Sequence, residues 1–241
     1  MYLQNIGFPE NDVQVYEIYN SKSQIFARTH PGVLGAQRFV LSLWHGAPND
    51  VDFSVPLSYF DRLRIRHPGD QKFTLGPHID GGSVERWEDA NFRACWSTIF
   101  DGNWREYDPY LIGPQRINAR NDMYSAPNAC SIFRPWQGWT SMSSTGPGEG
   151  TLKVFPSVRL ATAYVILRPF FRRKASAEAS SLKAEDWEPD LTTPIFPGSG
   201  MGTAQELSDQ SHPHMRLEKT MVSIPKVEPG DQVYCVYFFA E

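Results

Sequence analysis

Two side chains able to bind a metal, His78 and Asp80, stand two residues apart in the run Leu75-Gly76-Pro77-His78-Ile79-Asp80-Gly81-Gly82-Ser83-Val84-Glu85-Arg86-Trp87-Glu88. On an extended strand, residues i and i+2 leave the same face, so this imidazole and carboxylate can close on one ion. Two histidines and one carboxylate on a single octahedral face, with the other positions open, suit Fe(II) oxygen chemistry. The bare pattern is weak: six His and fourteen Asp in 241 residues give about a third of a His-x-Asp by chance. The setting strengthens it, because an arginine-rich strand and a Pro-Gly-Asp turn precede the pair and Gly81-Gly82 follows it. The bland alternative is a structural His-Asp hydrogen bond at a strand end.

Other candidates are less specific. Arg62, Arg64 and Arg66 share one strand face. If that face looks inward, the central Arg64 can hold a carboxylate bidentately; if outward, it is a solvated charge run. Gln137 and Trp139 could line a cofactor cavity, Gln137 offering a hydrogen bond, against the alternative that Trp136 and Trp139 are core. His212 and His214 lie in a Ser- and Pro-rich stretch and read as surface residues. His45 ends a helix, where an imidazolium suits the dipole, and His30 and His67 precede prolines as turn residues. Gly148 and Gly150 form a turn without the lysine and hydroxyl of a phosphate loop. No nucleophile setting surrounds Ser141, Ser143, Ser144 or any cysteine.

The elements that must position these residues follow from periodicity. Residues 1–50 read as helical: Asn11 or Asp12 caps a segment with Val13, Val15, Tyr16 and Ile18. Pro31 opens a second helix that runs to Trp44 and ends at Gly46. Residues 58–80 read as a hairpin, with alternating Asp61-Arg62-Leu63-Arg64-Ile65-Arg66, a turn at Pro68-Gly69-Asp70, and a return strand delivering His78 and Asp80. Residues 84–100 read as one helix, and 101–128 as a long lid or binding loop. Residues 131–144 hold a strand, and Ser157 caps a helix burying Leu160, Ala161, Tyr164, Val165 and Leu167. Residues 174–213 read as surface. A closing hairpin joins 220–224 to 232–239 through Glu228-Pro229-Gly230-Asp231. Short strands flanked by helices without βαβ alternation predict an α+β domain spanning 1–241, with a helical part over 1–50 and a β-barrel or sandwich core over 58–241.

Composition narrows the partners. With 41% hydrophobic and 21% charged residues the chain is an ordinary globular one. A net charge of −4 argues against nucleic acid or an anionic membrane. No apolar run approaches a membrane span, and the first residues lack a signal-peptide pattern. Three widely spaced cysteines (Cys95, Cys130, Cys235) form no disulfide or zinc framework, which points to a reducing, cytoplasmic setting.

Several runs in order resemble one family: Asp61-Arg62-Leu63-Arg64-Ile65-Arg66, Leu75 through Trp87, Arg134-Pro135-Trp136-Gln137-Gly138-Trp139, Gly148-Glu149-Gly150-Thr151-Leu152-Lys153-Val154-Phe155-Pro156, and Leu167-Arg168-Pro169-Phe170-Phe171. Together they resemble the YbiU-like proteins of bacteria and fungi, which are similar to Fe(II)/2-oxoglutarate-dependent dioxygenases of the double-stranded β-helix (jelly-roll, cupin-like) fold. The resemblance spans about Gly7 to Cys235. It implies iron held by His78, Asp80 and a later histidine, with 2-oxoglutarate as cosubstrate. Oxidation of a small organic substrate would yield succinate and carbon dioxide. A non-catalytic binding module or pseudoenzyme of the same fold is the rival, and a fragment without function of its own the third reading.

The pattern departs at the C-terminus. In the family the strand after the Pro-Gly-Asp turn leads to the distal histidine, and an arginine beyond it pairs with the far carboxylate of 2-oxoglutarate. Here Val233-Tyr234-Cys235-Val236-Tyr237-Phe238-Phe239-Ala240-Glu241 ends the sequence, and no histidine follows His214. The expectation is an incomplete gene product, such as a retained intron would give, cut at both ends relative to the family. Transcript sequencing across the Cys235 codon tests it: one continuous frame ending at Glu241 in all messages defeats it.

Overall fold

Residue contacts gather the chain into two units, Met1–Trp44 with Asn49–Thr74, and His45–Pro48 with Leu75–Glu241. The computed structural model describes residues 15–46, 51–58, 61–67, 69, 76–80, 84–125, 132–196, 198–200 and 205–236. The expected turn at 68–70, the return strand before Gly76, Gly81-Gly82 and Cys130 fall wholly or largely outside these residues.

In the first unit, strand β1 (Val15–Tyr16) pairs antiparallel with β2 (Leu63–Arg64). The helix expected over Val13 to Ile18 is therefore corrected at Val15 and Tyr16. A β-branched and an aromatic residue here take the edge of the alternating arginine strand. Helix α1 (Lys22–Thr29) follows, opened by a capping box: the Ser21 hydroxyl accepts the Gln24 N–H at 3.2 Å, and the Gln24 side-chain Oε1 accepts the Ser21 N–H at 2.9 Å. His30 joins α1 to α2 (Pro31–Leu41), its Nδ1 accepting the Gly32 N–H at 3.1 Å. Helix α2 ends before Trp44, with Ser42 as its cap. His45 thus serves no helix end; its Nε2 meets Asp108 Oδ2 at 2.8 Å.

In the second unit the helix expected over 84–100 breaks into α3 (Glu85–Glu88), α4 (Ala90–Cys95) and α5 (Ser97–Phe100). Asp89 causes the first break, leaving helical geometry so that its carboxylate accepts the Phe92 N–H at 2.8 Å. The stretch 101–128 is not a long irregular loop as far as it is described. It carries a 3₁₀ turn (Trp104–Glu106) and α6 (Pro114–Asn118), and it buries Tyr107 and Ile112.

Helix α7 (Val158–Leu167) is capped by Ser157 as the sequence predicts. Ala161 and Val165 pack with Ile79, Leu207, Met215 and Leu217, while Ala163 and Ile166 pack with Trp96, Ile99 and Tyr107. A helix apolar on both sides must sit between two cores. Leu160, expected inside, is exposed. Because the Ser157 hydroxyl meets the Leu160 N–H at a long 3.4 Å, Ser157→Ala should lower stability by only about 0.5–1 kcal/mol. A urea midpoint that falls at unchanged slope would show this.

The strands of this unit form two-stranded antiparallel pairs among the described residues. They are β3 (His78–Ile79) with β8 (Gln205–Glu206), β4 (Trp136–Thr140) with β10 (Gln232–Val236), β5 (Lys153–Val154) with β9 (Val222–Ser223), and β6 (Phe171–Arg173) with β7 (Trp187–Pro189). One expected hairpin is thereby corrected, since β9 pairs with β5 and not β10; β2 pairs with β1 and β3 with β8, while the return strand expected at 72–75 lies outside the described residues. The turn at Glu228 to Asp231 does form, with the Asp231 N–H donating to the Glu228 carbonyl at 3.0 Å and Gly230 at φ +97°. Local turn chemistry was readable; the strand's partner was not. Gly138 is obligatory in β4, since a Cβ there would lie 1.8 Å from the Val233 carbonyl oxygen. The region 174–213, expected at the surface, threads the interior at Asp190, Gln205, Leu207 and His212. No helix among the described residues is long and apolar enough to cross a membrane.

Candidate functional site

β3 is pinned at both ends of its short ladder. His78 and Ile79 pair with Glu206 and Gln205, and the Leu207 N–H donates to the Pro77 carbonyl at 2.7 Å. Ile79 is fully buried in the core, so the alternation of the strand turns His78 and Asp80 to the opposite face.

The geometry of the pair is specific. His78 Nδ1 lies 2.8 Å from the Gly76 carbonyl oxygen. A carbonyl only accepts, so Nδ1 carries the hydrogen. That leaves Nε2, 3.3 Å from Asp80 Oδ1. An unprotonated Nε2 then points a lone pair at a carboxylate, which is stable only with a cation between or beside them. A protonated Nε2 makes the pair an ion pair. Adjacent donors on a six-coordinate ion with bonds near 2.1 Å sit about 3 Å apart, so the observed separation fits two neighbouring metal positions. The backbone acceptor on Nδ1 is the arrangement that orients metal-binding histidines.

Asp80 is held on its other side. Gln137 Nε2 donates to Asp80 Oδ2 at 2.8 Å. Burial alone would raise the Asp80 carboxyl, but the hydrogen bond from His78 in its protonated form and that from Gln137, then the charges of protonated His78 and of Arg134, outweigh it and hold it below the ordinary range. Asp80 is therefore a carboxylate, ready to bind a cation.

Of the sequence candidates, the structure brings His78, Asp80 and Gln137 together. Gln137 orients the Asp80 carboxylate through Oδ2. Trp139 shares its strand face but remains 41% exposed, and Trp136 is only half-buried, so neither is core. Arg64 lies on β2 of the first unit. Among the described residues, no set of three His, Cys, Asp or Glu side chains is grouped to hold a metal. His212 and His214 belong elsewhere, around Tyr164 and Trp187. His212 is not a surface residue but 1% exposed.

Sequence reasoning missed three neighbours. Arg86 is 0% exposed; it donates to Gln205 Oε1 at 3.1 Å and to the Asp80 carbonyl at 3.4 Å. Burial pulls its guanidinium down to about 10, against the charges of Glu85 and Asp80. Gln205 belongs to β8, in the stretch read as surface. Cys235 stands opposite Gln137 on β10, and burial, then the Asp80 charge, raises its thiol so that it stays protonated. The only available signal for Arg86 was a charged doublet beside a tryptophan, which ordinarily reads as a solvated helix face.

These features define a mixed helix-and-strand chain with an oriented His–Asp pair at the end of a buried strand. The chain belongs to the Gig2-like family, whose model matches residues 3–236. It is 33% identical over 224 residues to the uncharacterised protein YbiU of Escherichia coli K12, covering 92% of this chain and 48% of that protein. The crystal structure of GlcNAc Inducible Gene 2, GIG2, from Candida albicans matches with a TM-score of 0.85 at 34% identity, over 99% of this chain and 52% of that one. A Salmonella typhimurium LT2 structure, provisionally described as an oxidoreductase, matches with a TM-score of 0.75 at 29% identity, over 95% of this chain and 50% of that one. The chain spans about half the length of these relatives.

Proposed function

We propose that His78 and Asp80 are two ligands of a ferrous ion in a cytoplasmic 2-oxoglutarate-dependent oxygenase of the double-stranded β-helix (jelly-roll) type, acting on a small organic substrate. The observation that carries this reading is the orientation of His78: Gly76 takes the Nδ1 hydrogen, and Nε2 faces an ionised carboxylate. The provisional description of the Salmonella relative as an oxidoreductase agrees with it. Iron, when bound, supplies the redox chemistry that couples oxygen to 2-oxoglutarate and substrate. The chain's own residues hold the ligands in place. Gly76 fixes the imidazole and Gln137 fixes the carboxylate. No histidine follows His214 in this sequence to stand as the distal ligand that the resemblance implies.

The second reading is a binding module without iron, in which His78 is protonated and pairs with Asp80; the 3.3 Å separation permits it. One titration divides the two. Anaerobic Fe(II) with 2-oxoglutarate should give a visible charge-transfer band in the purified protein, absent in His78→Ala. In Gln137→Leu, with the orienting partner gone, it should need about tenfold more iron. A folded wild-type protein that gives no band and binds no Fe(II) would reject the iron reading in favour of the ion pair.

A further inference from the structure

A second site lies in the same unit, away from the His–Asp pair. A cleft of about 440 Å³ opens beside β6 and the segment 209–219, lined by Arg173, Arg216, Lys219, Asp209, Glu218 and Ser180 among others. Neither His78, Asp80 nor Gln137 contributes to it. Three cations share this wall, yet among the described residues none forms an ion pair, even with the two acids beside them. Asp209 is turned to the backbone instead, its Oδ1 accepting the Leu217 N–H at 2.8 Å.

Arg173 is the most informative of the three. Its guanidinium stacks over Trp187 at 5.2 Å, while its Nε–H is buried with no acceptor. Buried donors in native proteins nearly always have a partner, so an orphan of this kind calls for one. Arg216 holds a left-handed backbone, φ 48°, which a non-glycine residue adopts only when its surroundings impose it. Burial, and after it the charges of Arg168 and Arg173, keeps the neighbouring His214 below its ordinary range, although the Leu182 backbone opposes the shift.

We propose that this cleft binds a small phosphate monoester through Arg173, Arg216 and Lys219. A guanidinium fork supplies paired donors to a phosphoryl oxygen edge, and a lysine supplies a compact charge to the third oxygen. Ser180 adds a hydroxyl to the wall, and Leu182 and Pro213 give an apolar border for the organic part.

The test is calorimetric titration of the whole chain with inorganic phosphate at low ionic strength, with succinate as the comparison anion. Arg216 and Lys219 are exposed, so Arg216→Gln and Lys219→Gln leave the fold intact. Phosphate should bind saturably, each variant should weaken it about tenfold, and succinate should bind more weakly than phosphate. His78→Ala should bind phosphate as the wild type does, which separates this site from the iron reading. Wild type without saturable binding, variants with wild-type affinity, or tighter binding of succinate would each overturn the proposal.

Discussion

Arg86→Ala should lower the stability of the folded chain by about 3–5 kcal/mol, the range for breaking a buried, paired charge. Three losses combine. The guanidinium is 0% exposed, so its removal leaves a cavity. Gln205 Oε1 loses its donor at 3.1 Å and the Asp80 carbonyl its donor at 3.4 Å. Glu85, itself 1% exposed, loses a neighbouring positive charge. Arg86→Met restores volume but not charge and should recover only part of the loss. Adding Glu85→Gln to it should recover more. Urea denaturation of the three variants measures this, and a loss under about 1 kcal/mol for Arg86→Ala would mean the charge is solvated.

Stability should also fall by about 3 kcal/mol as the solution is acidified from pH 6.5 to pH 4, through His212. Burial, helped by the Arg168 charge, pushes its imidazole down from 6.5 to about 4. The unfolded chain takes up this proton below about 6.5, whereas the folded one excludes it until about 4. The contribution is thus complete above 6.5 and is lost as the pH falls toward 4. Ser211 Oγ, 2.8 Å from Nδ1, and the Tyr164 ring at 6.0 Å surround the neutral ring. His214, shifted in the same direction, adds a smaller slope. His212→Gln should flatten most of the dependence between those limits; a variant keeping the full slope would disprove the assignment.

What could be read in advance was local. Ser157 and the apolar run behind it specify α7, Trp136 to Thr140 reads as a strand, and Pro229-Gly230-Asp231 dictates a turn; each rests on contacts within a few residues. His78 and Asp80 were legible because their spacing alone places them on one face. Pairing partners were not. Nothing near Val15 announces Arg64, and nothing near His78 announces Glu206. Asp89 ended a helix that periodicity would have continued, because its carboxylate serves the Phe92 N–H better than a helical backbone would. Arg86, Gln205 and His212 are polar residues in polar surroundings, and only the threading of 205–217 through the interior buries them.

The ladder between β3 and β8 bears on how the molecule acquires its His–Asp pair. His78 is secured by Glu206, about 130 positions along the polypeptide, so a large loop must close before any contact there compensates for the lost entropy. The helical hairpin of α1 and α2 can form while the chain is still being synthesised. The strand carrying His78 and Asp80 cannot settle until residue 206 has emerged, so the geometry of the His–Asp pair is among the last features that folding creates.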